Sequence, residues 1–257
     1  MHQLVRYNIL SGNFTDYGTN YLSGLGNSDG EYGQSVYCTQ YDSTTLYTAG
    51  GSSGNAINMY DLETLTFQSL NTTIPFQTSR RSCIASSASP MPTLYVVGGY
   101  YPKKLQVLDL DAVSWHNSTS DMTYSHSYHG CLVADDRLWA IAGLASNAVE
   151  AVNINSLNSW QYIGALQCDL FIPGVTEANG FIYVIRGSCD GHSDHMLVID
   201  TAKNSIEIYS DSFAFGRYSF PIIAVDDIIY GFGGVIGSST VDSWITLHML
   251  STVWENS

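Results

Sequence analysis

Lysine is almost missing from this chain: 257 residues contain only Lys103, Lys104 and Lys203. Charged residues of either sign make up 12%, and the formal net charge is -14. An acidic chain without a basic stripe repels a phosphate backbone, which argues against nucleic acid as a partner. No run reaches 18 apolar residues, so no membrane span is predicted, and the chain opens without the apolar stretch of a secretion leader. Enzyme signatures are missing too, with no Gly-x-Ser-x-Gly elbow, His-Glu-x-x-His helix or Walker loop. The glycines of Gly24–Gly30 do not fit a dinucleotide loop, because the third falls one place late. The five cysteines, Cys38, Cys83, Cys131, Cys168 and Cys189, match neither a zinc knuckle nor a Cys-x-x-Cys pair. Cys38, Cys83 and Cys131 each precede a glycine-closed strand and read as inert core cysteines. The sequence therefore assigns no catalytic residue, no metal ligand and no cofactor.

What the chain does have is repetition. Thr93-Leu94-Tyr95-Val96-Val97-Gly98-Gly99 is an apolar run closed by two glycines, and related runs end at Gly51, Gly143, Gly187 and Gly234. The steps between the closing glycines are 48, 44, 44 and 47 residues, a spacing that signals repeats. A second landmark travels with the first: Tyr60-Asp61 then Phe67, Leu108-Asp109 then Trp115, Val152-Asn153 then Trp160, Ile199-Asp200 then Ile206, and Leu247-His248 then Trp254. Val, Ile, Tyr and Trp fill the strand positions, while Gly, Asn, Asp and Ser fill the turns, which predicts four-stranded antiparallel sheets. One such sheet cannot bury both of its faces, so neighbours must stack, and radial stacking gives a propeller.

This pattern resembles the kelch repeat over residues 31–254, although Ala142-Gly143 and Arg186-Gly187 replace Gly-Gly and His248 replaces the aspartate. The resemblance implies an all-β, kelch-like β-propeller in one domain covering residues 1–257. Blades A to E are expected at about 35–70, 79–116, 126–163, 168–210 and 216–254. Val5–Ile9 and Phe14 supply a half-blade at 1–16 that carries only third- and fourth-strand landmarks. Five blades and a half-blade point to part of a six-bladed ring, its missing inner strands supplied by upstream residues or another chain; the alternative is an irregular pairing in which the amino-terminal strands attach to blade E and close a smaller ring. Trp115, Trp160 and Trp254 are expected to wedge between blades.

Kelch-like propellers generally serve as recognition surfaces, so a protein-interaction or structural module is expected. The alternatives are a secreted metal-dependent oxidase and a carbohydrate-binding propeller. Copper radical oxidases share kelch-like blades, but no motif here matches their ligand set. Loops that join blades, and loops that join second to third strands, emerge on one face of such a fold. They place Arg80, Arg81, Tyr124, His126, His129, Asp190, His192 and His195 toward one partner-binding rim. His126 with His129, and His192 with His195, form two His-x-x-His pairs that read as solvated polar loops rather than metal ligands. The partner is a protein or a glycan. Cys168 and Cys189 approach the same rim and form the expected disulfide. Asn13, Asn71 and Asn117 each begin a glycosylation acceptor triplet, and with the scarcity of lysine they favour an extracellular or luminal location over the cytoplasm.

Overall fold

A computed structural model describes residues 4–8, 10–11, 13–18, 37–40, 42, 44–49, 56–76, 82–99, 103–117, 120–144, 146–185, 196–209, 217–218, 221–236, 239–240 and 244–249. The described elements are all strands, those of a five-bladed β-propeller fold. The chain divides into two compact units. One comprises Met1–Tyr101 and Gln106–Asn117, the other Pro102–Leu105 and Ser118–Ser257.

In the first unit, β1 (Leu4–Asn8) and β2 (Asn13–Gly18) form a two-stranded sheet of their own. Blade A is the meander β3 (Tyr37–Gln40), β4 (Thr45–Ala49), β5 (Ala56–Asp61) and β6 (Thr66–Thr73). Blade B is β7 (Ser82–Ser87), β8 (Thr93–Gly98), β9 (Leu105–Asp109) and β10 (Ser114–Asn117). Tyr47, Ala49, Ile57, Ile84, Leu94, Val96 and Leu108 make one core from both blades. Trp115 packs against it, and its indole N–H donates to Thr72 Oγ1 at 2.9 Å. This tryptophan thus ties the outer strand of one blade to that of the next, as expected.

In the second unit, blade C is β11 (Gly130–Ala134), β12 (Arg137–Ile141), β13 (Ala148–Asn153) and β14 (Gln161–Ala165). Blade D is β15 (Gly174–Ala178), β16 (Phe181–Ile185), β17 (Met196–Asp200) and β18 (Ser205–Tyr209). The fifth blade departs from the expected single meander. Next to β19 (Arg217–Tyr218), the chain forms β20 (Ile222–Val225) and β21 (Ile228–Phe232), then a short hairpin of β22 (Val235–Ile236) and β23 (Ser239–Thr240), before β24 (Trp244–His248). Strands β20, β21 and β24 make the blade, while β22 pairs with β19 on one side and β23 on the other in a separate small sheet. Gly233 and Gly234, at φ 62° and 99°, turn the chain out of the blade into that hairpin. Trp254 and the fourth strand expected near it lie outside the described residues.

Blade D shows why the strands read as continuous apolar runs. Ile182, Val184, Leu197 and Ile199 face a core shared with Trp139, Ile141, Val149 and Ala151 of blade C. The alternate residues Tyr183, Ile185, Met196 and Val198 face a second core with Ile222 and Ile229 of the fifth blade. Side chains alternate along a strand, so a sheet buried on both faces needs apolar residues at every position. Trp139, rather than Trp160, is the fully buried anchor of blade C, and Arg137 stacks 4.4 Å above its ring. The same guanidinium donates to Asn204 Oδ1 at 2.6 Å and to the Thr201 carbonyl, clasping the last turn of blade D.

Both landmarks have physical causes. The aspartate ending the third strand turns the chain: Asp61 Oδ1 accepts the amides of Glu63 and Thr64, Asp109 those of Asp111 and Ala112, and Asp200 those of Ala202 and Lys203, all at 2.8–3.0 Å. Asn153 accepts from Asn155 in the same way. Four residues after each stands one in the left-handed region, Leu65, Val113, Leu157 and Asn204. Such side-chain turns are what Asp and Asn provide most readily, and the bulky residue then falls on the returning strand. The closing glycines are also conformational: Gly98 and Gly99 have φ 62° and 100°, nearly the values of Gly233 and Gly234. In blade C, Ala142 takes the first left-handed position at φ 51°, at a steric cost on the order of 1 kcal/mol relative to glycine.

Gly130 opens β11 where that first strand packs on β15. A Cβ there would collide with Val175 Cγ1. We predict that Gly130→Ala lowers unfolding free energy by about 1–3 kcal/mol and that adding Val175→Ala recovers part of the loss. Denaturant melts of the two variants would show it. Equal destabilisation with and without the valine change would contradict this packing.

Candidate functional site

Strand β13 carries one charge in an otherwise apolar, fully buried run, Ala148-Val149-Glu150-Ala151-Val152. A buried carboxylate is tolerated only when its oxygens are met by donors. The segment that leads into blade C supplies them. Glu150 Oε2 accepts the Thr123 amide at 3.0 Å, and Oε1 accepts the Tyr124 amide at 3.0 Å and His126 Nε2 at 3.0 Å. Burial by itself raises the Glu150 pKa, but the hydrogen bonds from His126, Tyr124 and Thr123 outweigh it and hold the group below the ordinary carboxylate range.

His126 is fully buried, and its Nδ1 faces the Ala142 carbonyl at 2.8 Å. A carbonyl only accepts, as does an ionised carboxylate. The two ring nitrogens of His126 thus face two acceptors, the Ala142 carbonyl and the Glu150 carboxylate. Its neighbour His129 is 2% exposed, its ring centroid lies 5.4 Å from that of His126, and both its nitrogens are without a hydrogen bond among the described residues. Burial, then the charge on His126, holds His129 well below its usual value, so it stays neutral. Gly143, at φ 125°, lies against this segment: a Cβ there would come 2.5 Å from the Ser127 carbonyl oxygen and 3.0 Å from His129 Cβ. The closing glycine of blade C thus makes room for the histidine segment.

Above this buried pair stands an aromatic surface. Tyr124, whose amide is held by Glu150, is 37% exposed and stacks at 5.3 Å and 40° on Tyr162, which is 49% exposed. Tyr162 lies on β14 directly across the ladder from Glu150. A second pair, Tyr128 and Phe171, meets at 5.0 Å. It is drawn together by the Ile172 amide donating to the Tyr128 carbonyl at 2.9 Å. Tyr128 and Ile172 have φ 54° and 48°. Left-handed backbone costs about 1–3 kcal/mol at such residues and survives only where surroundings impose it. Leu144, half exposed, is fixed beside them by the hydrogen bond its amide donates to the Ser127 carbonyl. Lys103 Nζ donates to the Thr123 carbonyl and Lys104 bridges Asp121, both at 2.8 Å, so two of the three lysines brace the same segment.

The sequence reading needs correction here. His126 and His129 were expected in solvated rim loops, but both are buried and cannot touch a partner directly. The cause is Glu150, which sequence reasoning passed over. Its signal was legible, a lone carboxylate inside an apolar strand. Tyr124 is exposed as expected. Arg80, Arg81, Asp190, His192 and His195 lie outside the described residues. Cys83 and Cys131 are buried but are disulfide-bonded, not inert free thiols. Cys168 is disulfide-bonded as well, and Cys189, the partner expected for it, lies outside the described residues. Disulfide sulfurs are not thiolate ligands for a metal, and His126 has both nitrogens engaged.

Fold and site together define the chain as an all-β propeller scaffold that presents aromatic loops on a buried ion pair. No protein-family model and no curated protein matches it.

The two buried groups set the pH response. His129 is depressed from 6.5, so the unfolded chain takes up a proton that the folded chain refuses, and stability falls as pH drops below that value. Glu150, depressed from 4.5, contributes stability above that range and loses it as pH falls further through its folded value. Between about pH 7.5 and about pH 5 the wild type should therefore lose more melting temperature than His129→Leu does, because only the wild type carries the buried neutral ring. Equal losses in the two proteins over that interval would sink this assignment.

Proposed function

We propose that this chain is a non-catalytic interaction module of the kelch type and that it binds a protein partner on the loops at the head of blade C. One observation carries the reading: the exposed Tyr124–Tyr162 pair is seated on the buried His126–Glu150 ion pair. Interfaces concentrate their energy in aromatic anchors whose geometry is fixed before binding. The kelch assignment rests on the recurring landmarks, now with a turn chemistry for each. The β1–β2 hairpin, carrying third- and fourth-strand landmarks, reads as the outer half of a sixth blade that two further strands would complete. Three disulfide-bonded cysteines favour an extracellular or luminal site over the cytoplasm.

The same tyrosine faces support the second reading, a carbohydrate-binding propeller, since a sugar ring also stacks on an exposed aromatic. Binding to arrayed extracellular proteins and to arrayed glycans separates the two. We expect a protein hit whose affinity drops about tenfold or more, at least ~1.4 kcal/mol, in Tyr124→Ala/Tyr162→Ala with the melting temperature unchanged. A protein hit indifferent to that double change would overturn the assigned face. Loss of a glycan hit instead would favour the carbohydrate reading.

A further inference from the structure

The asparagines of the three acceptor triplets, Asn13, Asn71 and Asn117, are all in the first compact unit, and each lies on a strand with third-and-fourth-strand character or an outer strand of a blade: Asn13 begins β2, Asn71 falls within β6, and Asn117 ends β10. The second unit has no acceptor asparagine, although it is the larger. Two of the acceptors are described in full. At Asn13 both the asparagine and Thr15 are exposed. At Asn71 the geometry is more specific. The ladder between β5 and β6 pairs Ala56 with Thr73 and Asn58 with Ser69, leaving Leu70, Asn71 and Thr72 opposite Ile57 alone. Asn71 stands in this bulge at φ 51°, exposed, a conformation asparagine tolerates better than other side chains. Thr73, the hydroxyl residue of the triplet, is also exposed. Thr72 faces the other way and is held by Trp115. The bulge thus turns the middle residue inward and the two recognised residues out to solvent.

We propose that Asn71 and Asn13 carry N-linked glycans. β6 is the last strand of blade A, and a strand at a sheet edge offers unpaired backbone groups to other chains unless something covers it. A glycan rising from the bulge covers that edge with polar, bulky chemistry. The arrangement leaves the second unit, with its Tyr124–Tyr162 surface, bare for a partner. The inference rests on the extracellular or luminal reading, because the transfer of the glycan takes place in the compartment where disulfides form.

The test uses the full-length protein purified from its own source. Peptide mapping before and after peptide N-glycosidase treatment reads each acceptor, since release of a glycan leaves aspartate in place of asparagine. Thiol alkylation of the same sample, without reduction, reads the cysteines. We expect glycan-bearing Asn71 and Asn13 peptides, conversion of both to aspartate on treatment, and loss of one glycan mass in Asn71→Gln. Unmodified Asn71 and Asn13 in protein whose Cys83, Cys131 and Cys168 are oxidised would overturn the glycan proposal alone. Unmodified asparagines with those cysteines as free thiols would overturn both it and the assignment of compartment.

Discussion

A sheet with both faces buried has almost no room for polarity, and the organisation of this protein follows from that constraint. In blades C and D the middle strands are apolar on each side because each side meets a neighbour. In those middle strands the polar side chains stand at the ends. The repeat signature consists of what remains: aspartates that fold the last turn, glycines that leave the second strand through left-handed backbone, and a bulky residue on the return.

Glu150 is the exception, and its cost organises the only well-defined polar site among the described residues. A carboxylate in the middle of β13 requires donors, and the segment 123–126 has to come in over the blade to provide them. Once there, two backbone amides and the His126 ring fix the position of Tyr124, while the ladder fixes Tyr162 opposite Glu150 itself. Breaking such a buried pair from one side typically costs about 3–5 kcal/mol, so the loop cannot wander without paying a large part of the stability of a domain. The protein gains a surface feature whose geometry is set from below.

The fold was legible in the sequence because its landmarks are local. A turn built by Asp61 or Asp109 needs only the next few amides, and a left-handed glycine pair needs only itself. The fifth blade was misjudged, since nothing local distinguishes a loop that crosses directly to the third strand from one that first forms the β22–β23 hairpin with β19. The site was less legible still. His126 and His129 appeared as a loop pair because Glu150, the partner of His126, lies 24 residues further on, and only tertiary packing brings the two together. The state of Cys83 and Cys131 was illegible for the same reason: they are flanked by ordinary strand residues, and no local pattern marks them as disulfide-bonded. Trp139 outranked the landmark Trp160 as the core anchor because burial depends on which strand is central, not on which residue recurs.

The functional reading depends on one arrangement, His126 held between the Ala142 carbonyl and the Glu150 carboxylate beneath an exposed aromatic surface. Nitrogen NMR of histidine-labelled protein near neutral pH observes it directly, because a protonated ring nitrogen and a bare one resonate far apart. The account predicts that both His126 nitrogens carry protons while His129 shows the one-proton, neutral pattern. A His126 ring with a bare Nε2 would contradict it, since Glu150 would then be holding the proton and the loop would rest on a neutral hydrogen bond instead of an ion pair.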